Sequence, residues 1–190
     1  MDGGAYVKYK NDEGIEIQTQ LTGSYNLNNI AAALCIGKFF GVDSTLADQA
    51  IAHYSPSNMR SQIVQHGTNI IILDAYNANP SSMEAAIKNL YGLQAEKKVA
   101  ILGDMFELEG ESEHEHRALG KLLNEKKVNQ VLLCGGLMHW AKEECPQALH
   151  FQTKHSLVHF LKANPVLNAT VLIKASRGIG LESILDILSV

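Results

Sequence analysis

The chain has 190 residues, 46% of them hydrophobic, enough to bury a proper core and to form one domain plus part of another. Sixteen basic residues stand against 20 acidic ones for a net charge of −4, and without a basic block neither nucleic acid nor an anionic membrane is the expected partner. Cys35, Cys134 and Cys145 show no metal-ligand or CxxC spacing, no stretch nears the roughly 18 consecutive apolar residues of a membrane span, and Met1-Asp2-Gly3-Gly4 lacks the features of a signal peptide. A soluble, cytoplasmic chain is expected.

Ala5 to Lys10 and Ile15 to Leu21 alternate like the strands of a hairpin, with Asn11-Asp12-Glu13-Gly14 as the turn. Ile30 to Phe40 reads as an apolar helix stopped by Gly41, and Ser44 to His53 as a second, shorter one. The proline- and serine-bearing segment that follows, through Tyr54-Ser55-Pro56-Ser57-Asn58, is the best candidate linker. Beyond it, strands and helices alternate. Apolar runs at Ile70 to Leu73, Val99 to Leu102, Val131 to Cys134 and Val171 to Ile173 precede helical patterns at about 81 to 94, 112 to 126, 155 to 163 and 180 to 189. A less regular helical pattern lies near 137 to 145. Such spacing implies βαβ units, hence an α/β domain with a mostly parallel sheet and helices on both faces. The hairpin and two helices before the linker are too thin a core for independent folding and read as the tail of another domain.

The polar signal sits at the strand ends. Asp74 ends an apolar run and is followed by Ala75-Tyr76-Asn77-Ala78-Asn79-Pro80, in which Asn79 is a helix N-cap and Pro80 the first helical residue. In an open parallel sheet that position faces the ligand crevice, where a carboxylate can take a hydroxyl such as a ribose and a helix start can offer N–H groups to an anion. Asp104, Gly135, Lys174, Ser176 and Arg177 fall at the ends of the other strands and would open on the same edge, although for Asp104 and Gly135 ordinary turn chemistry is the better reading. No GxxxxGK[ST] or GxGxxG is present, and Gly178-Ile179-Gly180 reads as a helix-entry turn. The run Glu109-Gly110-Glu111-Ser112-Glu113-His114-Glu115-His116 reads as a solvated acidic helix start, not a metal cluster. No metal site is expected.

Several stretches together resemble the Mur ligases, ATP-dependent amide-bond-forming enzymes of peptidoglycan synthesis. Gly23-Ser24-Tyr25-Asn26-Leu27-Asn28-Asn29-Ile30-Ala31-Ala32-Ala33 is similar to the family's G-x-[HY]-N-x-x-N-x-x-A-A segment. Asp74 to Pro80 resembles D-S-Y-N-A-N-P, Leu102 to Leu108 with His116-Arg117 resembles L-G-D-M-x-E-L followed by H-R, and Lys174 to Arg177 resembles K-G-S-R. These motifs resemble the branch that adds D-alanyl-D-alanine to UDP-N-acetylmuramoyl-tripeptide. The aromatic-Ala-His and D-N-P-R signatures of diamino-acid addition are absent. Departures fall at Ala75 for serine, Ala175 for glycine, and Met59 where the family has glycine.

The resemblance implies a remnant of a central ATPase domain over 1–54, a linker over 55–59 and a Rossmann-like C-terminal domain over 60–190. It implies that Asn26 and Asn29 contact adenine, that Asp74 binds the ribose and that Arg60 reaches the nucleotide phosphates. Tyr76, Asn77, Asn79, Ser176 and Arg177 would face the incoming dipeptide and the γ-phosphate, and Arg60, Lys174 and Arg177 would stabilise the charge of the reaction. ATP would phosphorylate the tripeptide carboxylate, and the dipeptide amine would attack the acyl phosphate. The Mg²⁺ ligands and the phosphate-binding loop belong to a part of such an enzyme outside this sequence, so the isolated chain is expected to fold without catalysing. The rival readings are another acid:amino-acid ligase, either diamino-acid-adding or a folylpolyglutamate synthase, and a stand-alone nucleotide-binding module.

Overall fold

The computed structural model describes residues 6–126 and 128–188. Ala5, at the start of the predicted hairpin, and residue 189, at the end of the predicted last helix, lie outside them, as do Met1 to Gly4. The hairpin pairs β1 (Tyr6–Lys10) with β2 (Glu16–Thr22), antiparallel. Its turn is closed by Asn11, whose side-chain oxygen accepts the N–H groups of Glu13 and Ile15. Helix α1 (Asn26–Phe39) starts four residues before the expected Ile30. The intervening asparagines are poor helix formers, and the start depends on a contact outside the helix: Asn26 donates to the Thr22 carbonyl at 2.7 Å.

Helix α2 (Ser44–His53) is capped by Asp43, which accepts from the N–H groups of Thr45 and Leu46. Buried Asp48 then fastens α2 to the hairpin by accepting from Tyr9 Oη at 2.6 Å and Asn11 Nδ2 at 2.8 Å. Burial, and then the bond to that carboxylate, hold the Tyr9 phenol well above its usual range. Among the described residues, Val7, Leu21 and Ile30 form the buried apolar core here. Phe39 and Phe40 are 83% and 77% exposed, and Ile36 and Leu46 are exposed as well.

The second sheet has the order β3-β4-β8-β5-β6-β7. Its strands are β3 (Gln62–His66), β4 (Asn69–Asp74), β5 (Lys98–Gly103), β6 (Gln130–Cys134), β7 (Leu149–Phe151) and β8 (Thr170–Lys174). All neighbours are parallel except β3 and β4. The two strands the periodicity does not reveal are the edges. β3 has two apolar residues in five and β7 is only three residues long, so neither carries the buried run of a central strand.

Period-2 alternation divides the central strands between two cores. Ile72, Ala100, Leu102, Leu133 and Leu172 meet α3 (Pro80–Gly92), α4 (Ser112–Glu125) and α5 (Met138–Glu144). Ile71, Leu73, Ile101, Leu132 and Ile173 meet α6 (Lys154–Ala163) and the segment Leu181–Leu188. That last segment is 3₁₀ and not the α-helix expected, entered through Gly180 at φ +69° and burying Leu181, Ile184 and Leu188. Gly120 lets α4 approach α5, since a Cβ there would stand 2.3 Å from the Ala141 carbonyl oxygen.

Asn69 closes the far end of the sheet. Fully buried, it donates to the carbonyls of Val166 and Leu188 and accepts from the Ala169 N–H. Replacing it strands three buried backbone groups. Asn69→Ala is expected to cost about 2–4 kcal/mol, read as a lowered urea midpoint at unchanged slope.

Candidate functional site

The inserted strand β8 builds the site. Its pairing with β4 sets Asp74 directly beside Lys174, the last residue of each strand. The Lys174 side chain is only 2% exposed and donates to Asp74 Oδ2 at 2.6 Å and to the Asn77 carbonyl at 2.9 Å. Burying an ammonium group is tolerable only with such partners. Its ammonium group thus ties Asp74 to the 75–79 loop.

Asp74 Oδ1 accepts from the Ser61 N–H at 3.3 Å, and the Ser61 hydroxyl meets Tyr25 Oη at 2.6 Å. A polar chain thus runs from the start of α1 to the end of β8. Burial pushes the Tyr25 phenol up. Ser61 and Tyr25 escape sequence reasoning as site residues: Ser61 belongs to no motif, and Tyr25 shows itself only as the aromatic position of the resembling segment.

Arg60 is flanked by two non-glycine residues in the left-handed region, Met59 at φ 59° and Ser61 at φ 50°. Each costs on the order of 1 kcal/mol relative to glycine. The glycine of the family pattern at position 59 has its physical explanation here. Arg60 itself is exposed and stacks on Tyr76, its guanidinium carbon 4.1 Å from the ring centroid.

These groups line one cleft of about 490 Å³. Asn26 and Asn29 stand on the α1 side, with Ile30, Ala33, Ile51 and Tyr54 as apolar lining. Arg60, Asp74, Tyr76, Asn77, Asn79 and Lys174 stand on the other. Asn29 donates to Asn26 Oδ1 at 2.9 Å, so the two amides are interlocked and fixed in orientation. The start of α3 is more closed than expected. Pro80 has no N–H, Ser82 donates to the Asn79 side chain in a capping box, and Met83 donates to the Asn79 carbonyl. At most the Ser81 N–H remains for an anion.

Ser176 and Arg177 do not line the cleft. Ser176 is buried; its hydroxyl accepts from the Phe106 N–H at 2.9 Å and lies 3.4 Å from the Ala78 carbonyl. It ties three strand-end loops together. Arg177 is exposed at the rim, its guanidinium carbon 5.4 Å from the Tyr76 ring. Asp104 turns inward as a cap, accepting from the N–H groups of Leu137 and Met138 at the start of α5. A Cβ on Gly135 would lie 2.4 Å from its carboxylate, and burial pushes the Asp104 carboxyl up.

His116 departs from the expected solvated acidic face. It is fully buried, with Nδ1 at 2.6 Å from the Ser112 carbonyl and Nε2 at 3.1 Å from the Met105 N–H. That arrangement requires a neutral ring, with the proton on Nδ1 and Nε2 accepting, and burial lowers the pKa. The acidic neighbours Glu109, Glu111 and Glu113 are exposed, as expected.

Two outcomes follow. Lys174→Met, leaving Asp74 without its buried partner, should destabilise by about 2–4 kcal/mol, and the double replacement with Asp74→Leu should recover most of it, both read by urea titration. Below about pH 6.5 the unfolded chain takes up a proton at His116 that the folded chain resists, so stability should fall as pH drops through that value. His116→Gln should flatten that part of the stability profile.

The family described as "Mur ligase, glutamate ligase domain" matches residues 59–177. The UDP-N-acetylmuramoyl-tripeptide–D-alanyl-D-alanine ligase of Bacillus subtilis is 33% identical over 172 residues, covering 86% of this chain and 38% of that protein. The MurF structure from Acinetobacter baumannii superposes with a TM-score of 0.83 at 26% identity, covering 97% of this chain and 42% of that one. The Thermotoga maritima MurF structure in complex with ADP gives 0.83 at 24% identity, over 100% and 44%, and shows likeness of fold. The chain thus spans less than half the length of these relatives. With well over half of its residues matched by the family's sequence pattern, the chain belongs to the Mur ligase family.

Proposed function

We propose that the chain is the C-terminal part of an ATP-dependent ligase that joins D-alanyl-D-alanine to UDP-N-acetylmuramoyl-tripeptide in the cytoplasm. In this reading residues 1–54 end a central ATP-binding domain, 55–59 link it to the next, and 60–190 form the C-terminal domain. The observation that carries the reading is a single cleft lined from both sides of that linker, by Asn26 and Asn29 on one wall and Arg60 and Asp74 on the other. A planar base edge suits the interlocked amides, and ribose hydroxyls suit a carboxylate already held in place by Lys174. The exposed Phe39, Phe40 and Leu46 favour cover by a further domain, because an apolar face of that kind is seldom left to water.

Within this scheme the chain's own residues bind and orient. Asp74 holds the nucleotide, while Arg60 and Arg177 supply positive charge where phosphoryl oxygens would lie. Domain closure would exclude water from the acyl phosphate before the dipeptide amine attacks it, and the tetrahedral intermediate would collapse to amide and free phosphate. Mg²⁺ does not fit a site here: no group of three or more His, Cys, Asp or Glu side chains gathers among the described residues. No step is therefore assigned to it on this chain. The motif Asp74-Ala75-Tyr76-Asn77-Ala78-Asn79-Pro80 favours a dipeptide acceptor, as does the activity for which the B. subtilis relative is named.

The test is a phosphate-release assay on this chain joined to its natural upstream region, with ATP, the UDP-linked tripeptide and a panel of amine acceptors. D-Alanyl-D-alanine should be preferred; preference for a single amino acid would overturn the reading. In the same assay Asn29→Ala, on an exposed helix face, should raise the KM for ATP roughly three- to tenfold at an unchanged melting temperature.

A further inference from the structure

Three anchored segments meet at Tyr76. Its ring, 39% exposed at the mouth of the cleft, carries the Arg60 guanidinium carbon 4.1 Å from its centroid and that of Arg177 5.4 Å away. The two arginines come from opposite ends of the domain, one before β3 and one after β8. The negative face of the aromatic ring offsets part of the repulsion between two guanidinium groups held about it, and an oxyanion would offset the rest.

Each partner sits on fixed backbone. The Tyr76 loop is pinned by buried Ala75 and Ala78 on either side and by the bond from Lys174 to the Asn77 carbonyl. Arg60 emerges between the left-handed Met59 and Ser61, and Arg177 follows Ser176, whose hydroxyl is buried against the Phe106 N–H. A rigid ring holding two planar forks reduces the ordering cost of binding an oxyanion.

We infer that Tyr76 is a positioning residue whose ring holds Arg60 and Arg177 together as a single oxyanion clamp at the cleft mouth. Phosphoryl and carboxylate groups share the recognised chemistry, and only the identity of the anion in the reaction rests on the ligase reading above.

The experiment uses this 190-residue chain, with the arginine side-chain Nε–Hε signals followed by NMR. Both Hε signals should be displaced by the Tyr76 ring current, remain so in Tyr76→Phe, and revert in Tyr76→Leu. Titration with inorganic phosphate should move both signals with one shared constant, weakened roughly two- to fivefold in Tyr76→Leu and retained in Tyr76→Phe. A parallel titration with acetate separates the sources: tighter phosphate binding marks a phosphoryl site, and tighter acetate binding marks a carboxylate site. Ring-current shifts absent from the parent chain, separate constants for the two arginines, or equal phosphate affinity in a folded Tyr76→Leu would overturn the clamp. The acceptor assay is independent, since a chain preferring a single amino acid would still show the shared constant if the clamp is real.

Discussion

The register between β4 and β8 is the constraint on which the site depends. Because β8 is the last strand in sequence yet lies between β4 and β5, Asp74 and Lys174 become neighbours across 100 residues of chain. A one-residue slip would turn one of the two side chains to the opposite face and leave each charge without its partner. Lys174 in turn holds the Asn77 carbonyl, so the conformation of the whole 75–79 loop rests on this pair. The ion pair is best understood as a device of geometry: two buried charges gain little net stability over apolar residues, but they tolerate no other arrangement.

The same carboxylate couples the two parts of the chain. Asp74 accepts from Ser61, and Ser61 meets Tyr25 at the head of α1, so the cleft walls are joined through hydrogen bonds. Asn89 of α3 adds another such contact, donating to buried Thr22 at 3.0 Å. Polar contacts of this kind suit parts that must meet in a defined way yet share little core. Backbone strain gathers at the junction, in the left-handed Met59 and Ser61 on either side of Arg60, where the surrounding contacts hold it.

Elsewhere along the carboxyl edge, polar residues serve as scaffold. Asp104 caps the approach to α5, His116 holds the Met105 N–H, and Ser176 holds that of Phe106. The loops that carry Tyr76 and Arg177 are thereby fixed by side chains that never reach the cleft. This explains why Asp104 and His116 stand out within their motifs although they point inward: buried hydrogen bonds restrict residue choice as strongly as ligand contact does.

Much of the architecture was legible because burial imposes a period. The runs at Ile70 to Leu73, Val99 to Leu102, Val131 to Cys134 and Val171 to Ile173 are central strands buried on both faces, and only continuous apolar residues satisfy that environment. The N-cap Asn79 with Pro80 likewise declared the start of α3, since capping is a local interaction. The edge strands β3 and β7 were hidden because pairing on one side leaves composition nearly free, and the start of α1 was hidden because it depends on the Thr22 carbonyl. Of the site, sequence by itself determined which residue types lie at the strand ends. Tertiary structure decided where their side chains lie: Lys174 and Ser176 are buried while Arg60 and Arg177 come to one ring. Whether a polar side chain meets solvent, ligand or another loop is set by strand order and register, and these join residues too distant in sequence for any local pattern to relate.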